Sequence, residues 1–263
     1  MSTLAISLIQ SSLFWEDKAA NLLHFEKQLI PLQGKTQVAV LPELFSTGFS
    51  MQTAILAEPM EGPTVQWMRS MAQQLQLILT GSIMIREGDL CFNRLLWVLP
   101  SGELGYYDKR HLFAYAGEDR HYQSGHRRLI ASVNGFRINL QICYDLRFPV
   151  WARQQCHQGS PEYDILIYVA NWPARRRLAW MTLLQARAIE NQCYVVGVNR
   201  VGVDGHEIDH SGDSMVIDPL GEILFTQTKD PCIHTANLRK DRLQECRQQF
   251  PFLREADKFE LKK

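Results

Sequence analysis

The sequence predicts a single layered α/β domain. Short runs rich in Val, Ile and Leu alternate with stretches of helical periodicity along all 263 residues. No Pro/Gly/Ser-rich linker, internal repeat or low-complexity tract interrupts them. A chain of this length buries a large core and commonly stays one α/β unit, so residues 1–263 are read as one domain. Sheets covered by helices bury apolar faces on both layers.

Leu4 to Ile9 reads as the first strand, and Lys18 to Ile30 as a helix with Leu22, Leu23, Phe25 and Leu29 as its stripe. Gln37 to Leu41 is the second strand. Pro63 and Thr64 form a helix start, and Val65, Met68, Ala72 and Leu75 follow at amphipathic spacing. Leu77 to Arg86 and Cys91 to Leu99 read as a hairpin around Glu87-Gly88-Asp89. Asn134-Gly135 is a turn leading into a strand from Arg137 to Ile142. Pro149 to Gln158 is expected to be a helix, Ile165 to Ala170 a strand, and Arg175 to Asn191 a helix. The apolar residues of that helix, Leu178, Met181, Leu183, Leu184 and Ile189, wrap so widely that burial on more than one side is expected. Strands at Tyr194–Val198 and Ser214–Ile217, a turn at Asp218–Gly221 and a helix at Asp241–Gln248 complete the reading.

Composition narrows the function classes. Lys plus Arg equals Asp plus Glu at 28 each, so nothing predicts non-specific binding to nucleic acid or an anionic membrane. The opening MSTLAISLIQSSLFWED lacks the basic and long apolar regions of a signal peptide, and no run reaches the ~20 apolar residues of a membrane span. A cytoplasmic protein is expected. The six cysteines, at 91, 143, 156, 193, 232 and 246, contain no CxxC pair and no histidine placed to complete a zinc set, so neither a metal nor a disulfide framework is expected. Cys91, Cys193 and Cys232 read as core, and Cys156 and Cys246 as helical.

Only Cys143 has reactive neighbours. LPELFSTGF at 41–49, YDKRHLF at 107–113 and INLQICYDLRFP at 138–149 each put one reactive group just past a strand-like run, so Glu43, Lys109 and Cys143 are expected to meet at one sheet edge. A cysteine attacks as thiolate and titrates near pH ~8.5 when free, so a carboxylate that takes the proton or a cation that stabilises the anion speeds attack. Glu43 is the candidate base. Addition to an amide carbonyl builds negative charge on oxygen, which a fixed ammonium and a backbone N–H stabilise. Lys109 and the N–H of Tyr144 are the candidates. The same glutamate then activates the water that hydrolyses the thioester. An isolated cysteine at a strand end is most often an inert core thiol. Here Pro42 halts a strand beside a carboxylate, and Asp145 and Arg147 crowd polar groups behind the thiol.

LPE at 41–43, DKRHLF at 108–113 and CYDLRFP at 143–149 resemble the Glu, Lys and Cys signatures of the nitrilase, or carbon–nitrogen hydrolase, superfamily. The likeness continues from the first strand through GSIMIREGDLCFNRLLWVLPSGEL at 81–104 to GDSMVIDPLGEIL at 212–224. It implies a four-layer αββα sandwich and a second glutamate between the Lys and Cys motifs, where Glu118 of AGEDRHYQSG stands. Glu118 is assigned a positioning role near Lys109. Subunits of the family commonly associate through helical faces, which implies a homodimer, with the helix at 175–191 and PFLREADKF at 251–259 within the C-terminal segment 241–263 as candidate interfaces.

GFSM at 48–51, AGEDRHYQSG at 116–125 and ANWPARRRLAWMTLLQARAIENQCYVVGVNRVG at 170–202 resemble the omega-amidase branch. That implies hydrolysis of the terminal amide of 2-oxoglutaramate or 2-oxosuccinamate without a cofactor. Such a substrate carries a carboxylate, which Arg grips bidentately. Arg175, Arg176 and Arg177, following Asn171-Trp172-Pro173, are candidates to hold it; Arg147 is expected to pair with an internal carboxylate, and Tyr144 and Trp172 to form walls. A nitrilase or a carbamoyl or other small-amide hydrolase would use the same three residues. A redox thiol protein would need a resolving cysteine, and none stands beside Cys143. A tethered glutaminase module would need a second domain.

Overall fold

In a computed structural model, residues 2–157 and 160–261 are described. Along the chain run β1 (Thr3–Gln10), α1 (Lys18–Leu29), β2 (Val38–Val40), α2 (Thr53–Leu56), α3 (Pro63–Leu75), β3 (Ile78–Glu87), β4 (Leu90–Val98), β5 (Leu104–Asp108), β6 (Ile130–Val133), β7 (Phe136–Ile142), α4 (Pro149–Ala152), β8 (Cys156–His157), β9 (Ser160–Pro161), β10 (Ile165–Ala170), α5 (Arg177–Asn191), β11 (Tyr194–Asn199), β12 (Val201–Val203), β13 (Asp209–Ile217), β14 (Ile223–Thr228), β15 (Cys232–Arg239) and α6 (Lys240–Gln249). They form two main sheets. One has the order β15-β1-β2-β3-β4-β5, the other β12-β13-β11-β10-β7-β6 with β14 on β13.

The sheets pack face to face. Leu4, Ile6, Leu8, Val38 and Val40 from the first meet Ile138, Leu140, Ile142, Ile167, Val169, Val196 and Val198 from the second in one core. On the outer face of the first sheet, Phe25 and Leu29 of α1 and Val65, Met68 and Ala72 of α3 cover Ala39, Leu41 and Leu79. On the outer face of the second, Trp180, Leu184 and Ala188 of α5 cover Leu166, Val195 and Met215. This is the expected αββα sandwich, and both sheets read as apolar runs because each is covered on two faces.

Local chemistry sets the turns. Asn134 and Gly135 both have positive φ, 48° and 77°, and Val133 pairs with Phe136 across them, the two-residue hairpin that an Asn-Gly pair favours. Gly88, at φ 58°, turns β3 into β4 with Glu87 opposite Leu90. In α3, Pro63 opens the helix and the distant Glu58 carboxylate accepts the N–H groups of Thr64 and Val65 at 2.7 and 3.2 Å.

Several expectations are corrected. The helix expected over Pro149–Gln158 is one turn, ending at Ala152, and Cys156 lies on the short β8, not on a helix; Gln158 is outside the described residues. Ala174–Arg176 is a 3₁₀ turn preceding α5. That helix buries one face, with Leu178 78% and Ile189 53% exposed, so it is not enclosed on several sides within the chain. Cys193 and Cys246 are buried, while Cys91 and Cys232 are half-buried. The strand-like run around Cys232 is β15, which extends to Arg239 and pairs with all eight residues of β1 from Thr3↔Arg239 to Gln10↔Cys232.

Where α5 crosses β11, a Cβ added to Gly197 would sit 2.5 Å from Leu184 Cδ1 and 3.0 Å from the Trp180 ring. Gly197→Ala is expected to destabilise the fold by about 1–3 kcal/mol through overpacking, read as a lower urea midpoint at unchanged slope.

Candidate active site

Four strands deliver the site. Glu43 lies three residues beyond β2 and Lys109 directly follows β5, both in the first sheet; Cys143 directly follows β7 and Asn171 directly follows β10, in the second. The expected single sheet edge is therefore a seam between two sheets. The parallel register Ile142↔Val169 sets the ends of β7 and β10 side by side. Left-handed backbone at Leu44, φ 44°, and Cys143, φ 43°, turns the chain sharply beside both reactive groups. Non-glycine residues hold this conformation when the surroundings over-determine it.

Lys109 is the hub. Its Nζ donates to Glu43 Oε1 at 2.8 Å and to Glu118 Oε1 and Oε2 at 2.9 Å each, and all three side chains have 0% exposure. Glu118 also accepts the Phe113 N–H at 2.6 Å. Burial alone would discharge Lys109, but the carboxylates of Glu118 and Glu43 outweigh it and push its pKa up. Burial pushes the Glu118 carboxyl up, against the pull of Lys109. Glu43 is fixed from three sides, because Asn93 Nδ2 donates to its Oε1 at 2.8 Å and the Asn171 N–H to its Oε2 at 2.7 Å. Asn171 Nδ2 also donates to the Glu43 carbonyl at 2.5 Å.

The Cys143 thiol is pushed well up, first by burial and then by the Glu43 charge, with Lys109 opposing. Burial and the neighbouring Glu43 therefore both favour the protonated thiol at Cys143, and Lys109 opposes them. Asp145 secures the elbow behind it. Its Oδ2 accepts from Tyr107 OH at 2.7 Å and the Ile142 N–H at 3.0 Å, and its Oδ1 accepts from the His111 N–H at 2.9 Å and lies 2.8 Å from His111 Nδ1. One buried carboxylate therefore ties the Lys109 segment to the Cys143 segment across the two sheets. Trp151 Nε1 donates to Tyr107 OH at 2.9 Å, and the His111 ring stacks on Phe148 at 3.8 Å.

Above Cys143 lies a cavity of ≈ 150 Å³ whose walls include Phe49, Phe113, Tyr144, Trp172, Arg176 and His210. Tyr144 stands edge-on to Phe113 and Phe148, at 5.0 and 5.1 Å. Trp172 is locked by donating its N–H to Asn199 Oδ1 and its Nε1–H to the Arg176 carbonyl, at 2.8 and 2.9 Å. Arg175 and Arg176 line the cavity. Arg177 does not: it grips Asp213 with two hydrogen bonds, at 2.6 and 3.1 Å. Arg147 also departs from expectation, forming no ion pair among the described residues and instead lying 5.0 Å over the Trp172 ring at the cavity wall. Arg176 is half-buried 5.1 Å over the Phe113 ring, and burial and the charge of Arg175 lower its pKa. Among the described residues no group of three or more His, Cys, Asp or Glu is arranged to hold a metal ion, and no helix is long and apolar enough to cross a membrane.

Sequence reading missed Asn93, Asn171, Asp204 and His210 as site residues. Asn93 left a trace as an amide inside the apolar run CFNRLLW. The others sit at strand ends and loops where polar residues are ordinary.

The carbon–nitrogen hydrolase family model matches residues 4–248. The chain is 45% identical to the omega-amidase YafV of Escherichia coli K12, over 99% of this chain and all of that protein. It is 29% identical to the 2-oxoglutaramate amidase of Bacillus subtilis, over 94% of this chain and 95% of that one. Among solved structures, the hydrolase-superfamily protein XC1258 of Xanthomonas campestris, described with an arsenic adduct in its active site, superposes with a TM-score of 0.98 at 45% identity, covering both chains fully. Saccharomyces cerevisiae Nit3 superposes with a TM-score of 0.83 at 26% identity over 95% of each chain.

Replacing Glu43 by Gln removes a charge that opposes the thiolate and leaves Lys109 in place. The Cys143 titration, read by thiolate ultraviolet absorbance as the difference from Cys143→Ala in the same background, is expected to move to lower pH. An unchanged or higher midpoint would contradict the upward push of Glu43 on the thiol.

Proposed function

The chain belongs to the carbon–nitrogen hydrolase family, and within it we propose that it cleaves the terminal amide of 2-oxo dicarboxylic acid monoamides, 2-oxoglutaramate and 2-oxosuccinamate, to the 2-oxo acid and ammonia. The observation that carries this reading is Arg176, a half-buried guanidinium on the cavity wall with no carboxylate partner among the described residues. Arg147 and Arg175 add positive charge to the same wall, against Asp204 alone. A short substrate with a far carboxylate supplies the missing counter-charge, and Arg176 offers it a planar pair of donors. The omega-amidase and 2-oxoglutaramate amidase names of the relatives agree with this.

The chemistry runs through Cys143. Its Sγ adds to the amide carbon as its proton passes to Glu43, and the oxygen takes the negative charge toward Lys109 Nζ and the Tyr144 N–H. Collapse breaks the C–N bond, the nitrogen leaves as ammonia with the proton from Glu43, and a thioester remains. Water then attacks, giving a proton to Glu43, and the acid departs as the thiol is restored. Glu118 holds Lys109 charged and aimed, acting through it. Tyr144 and Trp172 confine the acyl chain, and no step needs a metal or cofactor.

Six unpaired cysteines support the cytoplasm as the place of action, since reducing compartments preserve free thiols. Leu178 and Ile189 on α5, with Leu220 and Phe252 54% and 62% exposed, support association of two copies through this face. Light scattering at micromolar concentration is expected to give the dimer mass; a monomer mass would refute the association.

Ammonia release from 2-oxoglutaramate, 2-oxosuccinamate, glutamine and a simple nitrile, with Cys143→Ala as the blank, tests the activity. Release from the two oxo-acid amides that vanishes in the variant is expected. Release from the nitrile alone would favour a nitrilase. Arg176→Gln is expected to raise KM for the oxo-acid amides roughly tenfold or more while changing a neutral amide by about twofold or less. Equal effects on both would remove Arg176 from carboxylate binding.

A further inference from the structure

Asn171 has one polar atom to spare. Its backbone N–H donates to Glu43 Oε2 and its Nδ2 to the Glu43 carbonyl, at 2.7 and 2.5 Å. A carbonyl oxygen only accepts, so the atom facing it is the amide nitrogen and the other end of the side chain is Oδ1. That Oδ1 is enclosed and finds no donor. The side chain stands in the cavity wall and is 6% exposed. A buried acceptor without a donor is costly, and the cost is relieved when something brings an N–H or O–H to it.

We propose that Asn171 Oδ1 accepts an N–H of the substrate's amide nitrogen and thereby orients the leaving group and selects primary amides; the inference rests on the thiol amidohydrolase reading. The reacting nitrogen must lie near Glu43, because Glu43 protonates it. Asn171 is built onto Glu43 by two hydrogen bonds, so its free acceptor keeps a fixed position relative to that acid. When Sγ has added, the nitrogen carries two hydrogens and a lone pair. Holding one N–H at Oδ1 leaves the lone pair free to turn toward Glu43. The C–N electron pair then stays with nitrogen, the Glu43 proton joins it, and the oxyanion reforms the carbonyl of the thioester. A nitrile or an ester offers no N–H, so Oδ1 stays unpaired while either is bound, and this selects the amide where the three central residues alone would not.

The test compares two leaving groups on one acyl chain. Wild type, Asn171→Leu and Asn171→Ala are assayed on succinamic acid and its monomethyl ester counterpart, and on 2-oxoglutaramate and the corresponding methyl ester. The amide kcat/KM is expected to fall roughly tenfold or more beyond any fall in the ester value, the loss of one hydrogen bond made in the transition state. Equal falls for amide and ester would confine Asn171 to carrying Glu43 and overturn the proposal. A crystal of Cys143→Ala with a bound primary amide gives a second reading that keeps Asn171 intact. The amide nitrogen is expected within hydrogen-bond distance of Oδ1, and an amide turned away from it would also overturn the proposal. A wild type active on succinamic acid but not on the oxo-acid amide would defeat the oxo-acid reading and leave the Asn171 comparison in force. A wild type inactive on every primary amide would defeat both.

Discussion

One ammonium between two carboxylates organises this molecule. Lys109, Glu43 and Glu118 are fully buried, with the ammonium within 2.9 Å of both carboxyl groups. Removing water from such groups costs several kcal/mol for each ion buried, offset only by close contacts and by further hydrogen bonds to the remaining lone pairs. The fold supplies those from Asn93, Asn171 and the Phe113 N–H. Each donor comes from a different segment, so the cluster forms only when β2, β4, β5, β10 and the loop at 113–118 are all in place.

The seam between the two sheets follows from the same constraint. Glu43 and Lys109 ride on one sheet and Cys143 on the other, so their mutual geometry depends on how the sheets sit together. The apolar interior shared by β1, β2, β7, β10 and β11 sets the spacing. Asp145 sets the alignment, because its carboxylate binds the Ile142 N–H on the Cys143 side and Tyr107 and His111 on the Lys109 side. A packed core resists small displacements, so this pairing fixes Cys143 relative to Glu43 and Lys109, as the proposed attack requires.

Charge is sorted with depth. Lys109 and Cys143 line the cavity with the carboxyl groups of Glu43 and Glu118 behind Lys109, whereas Arg147, Arg175 and Arg176 stand on its walls. On the proposed reading, that arrangement draws a substrate carboxylate to the walls and leaves the amide end to Cys143. Arg177 shows how narrow the division is. It adjoins Arg176 in sequence, yet α5 starts there and turns its side chain to Asp213 on β13.

Much of this was legible in the residues. The strands β1, β2, β7, β10 and β11 announce themselves as apolar runs because they are covered on two faces. Asn134-Gly135 and Gly88 fix their turns by backbone preference. Glu43, Lys109 and Cys143 stood out because a reactive group follows each run, and Glu118 through family resemblance. Tertiary structure decided the rest. It extended the strand-like run at Cys232 to Arg239 and set it beside β1, cut the helix after Pro149 to one turn, and recruited Asn93, Asn171 and Asp145 as hydrogen-bond partners. It also separated Arg176 from Arg177. Local sequence determines which segments prefer a strand, a helix or a turn, since those preferences arise within a few residues. Which polar atoms meet, and which stay unpaired, depends on groups such as Glu43 and Asn171, 128 positions apart, and only the packed sheets bring them together.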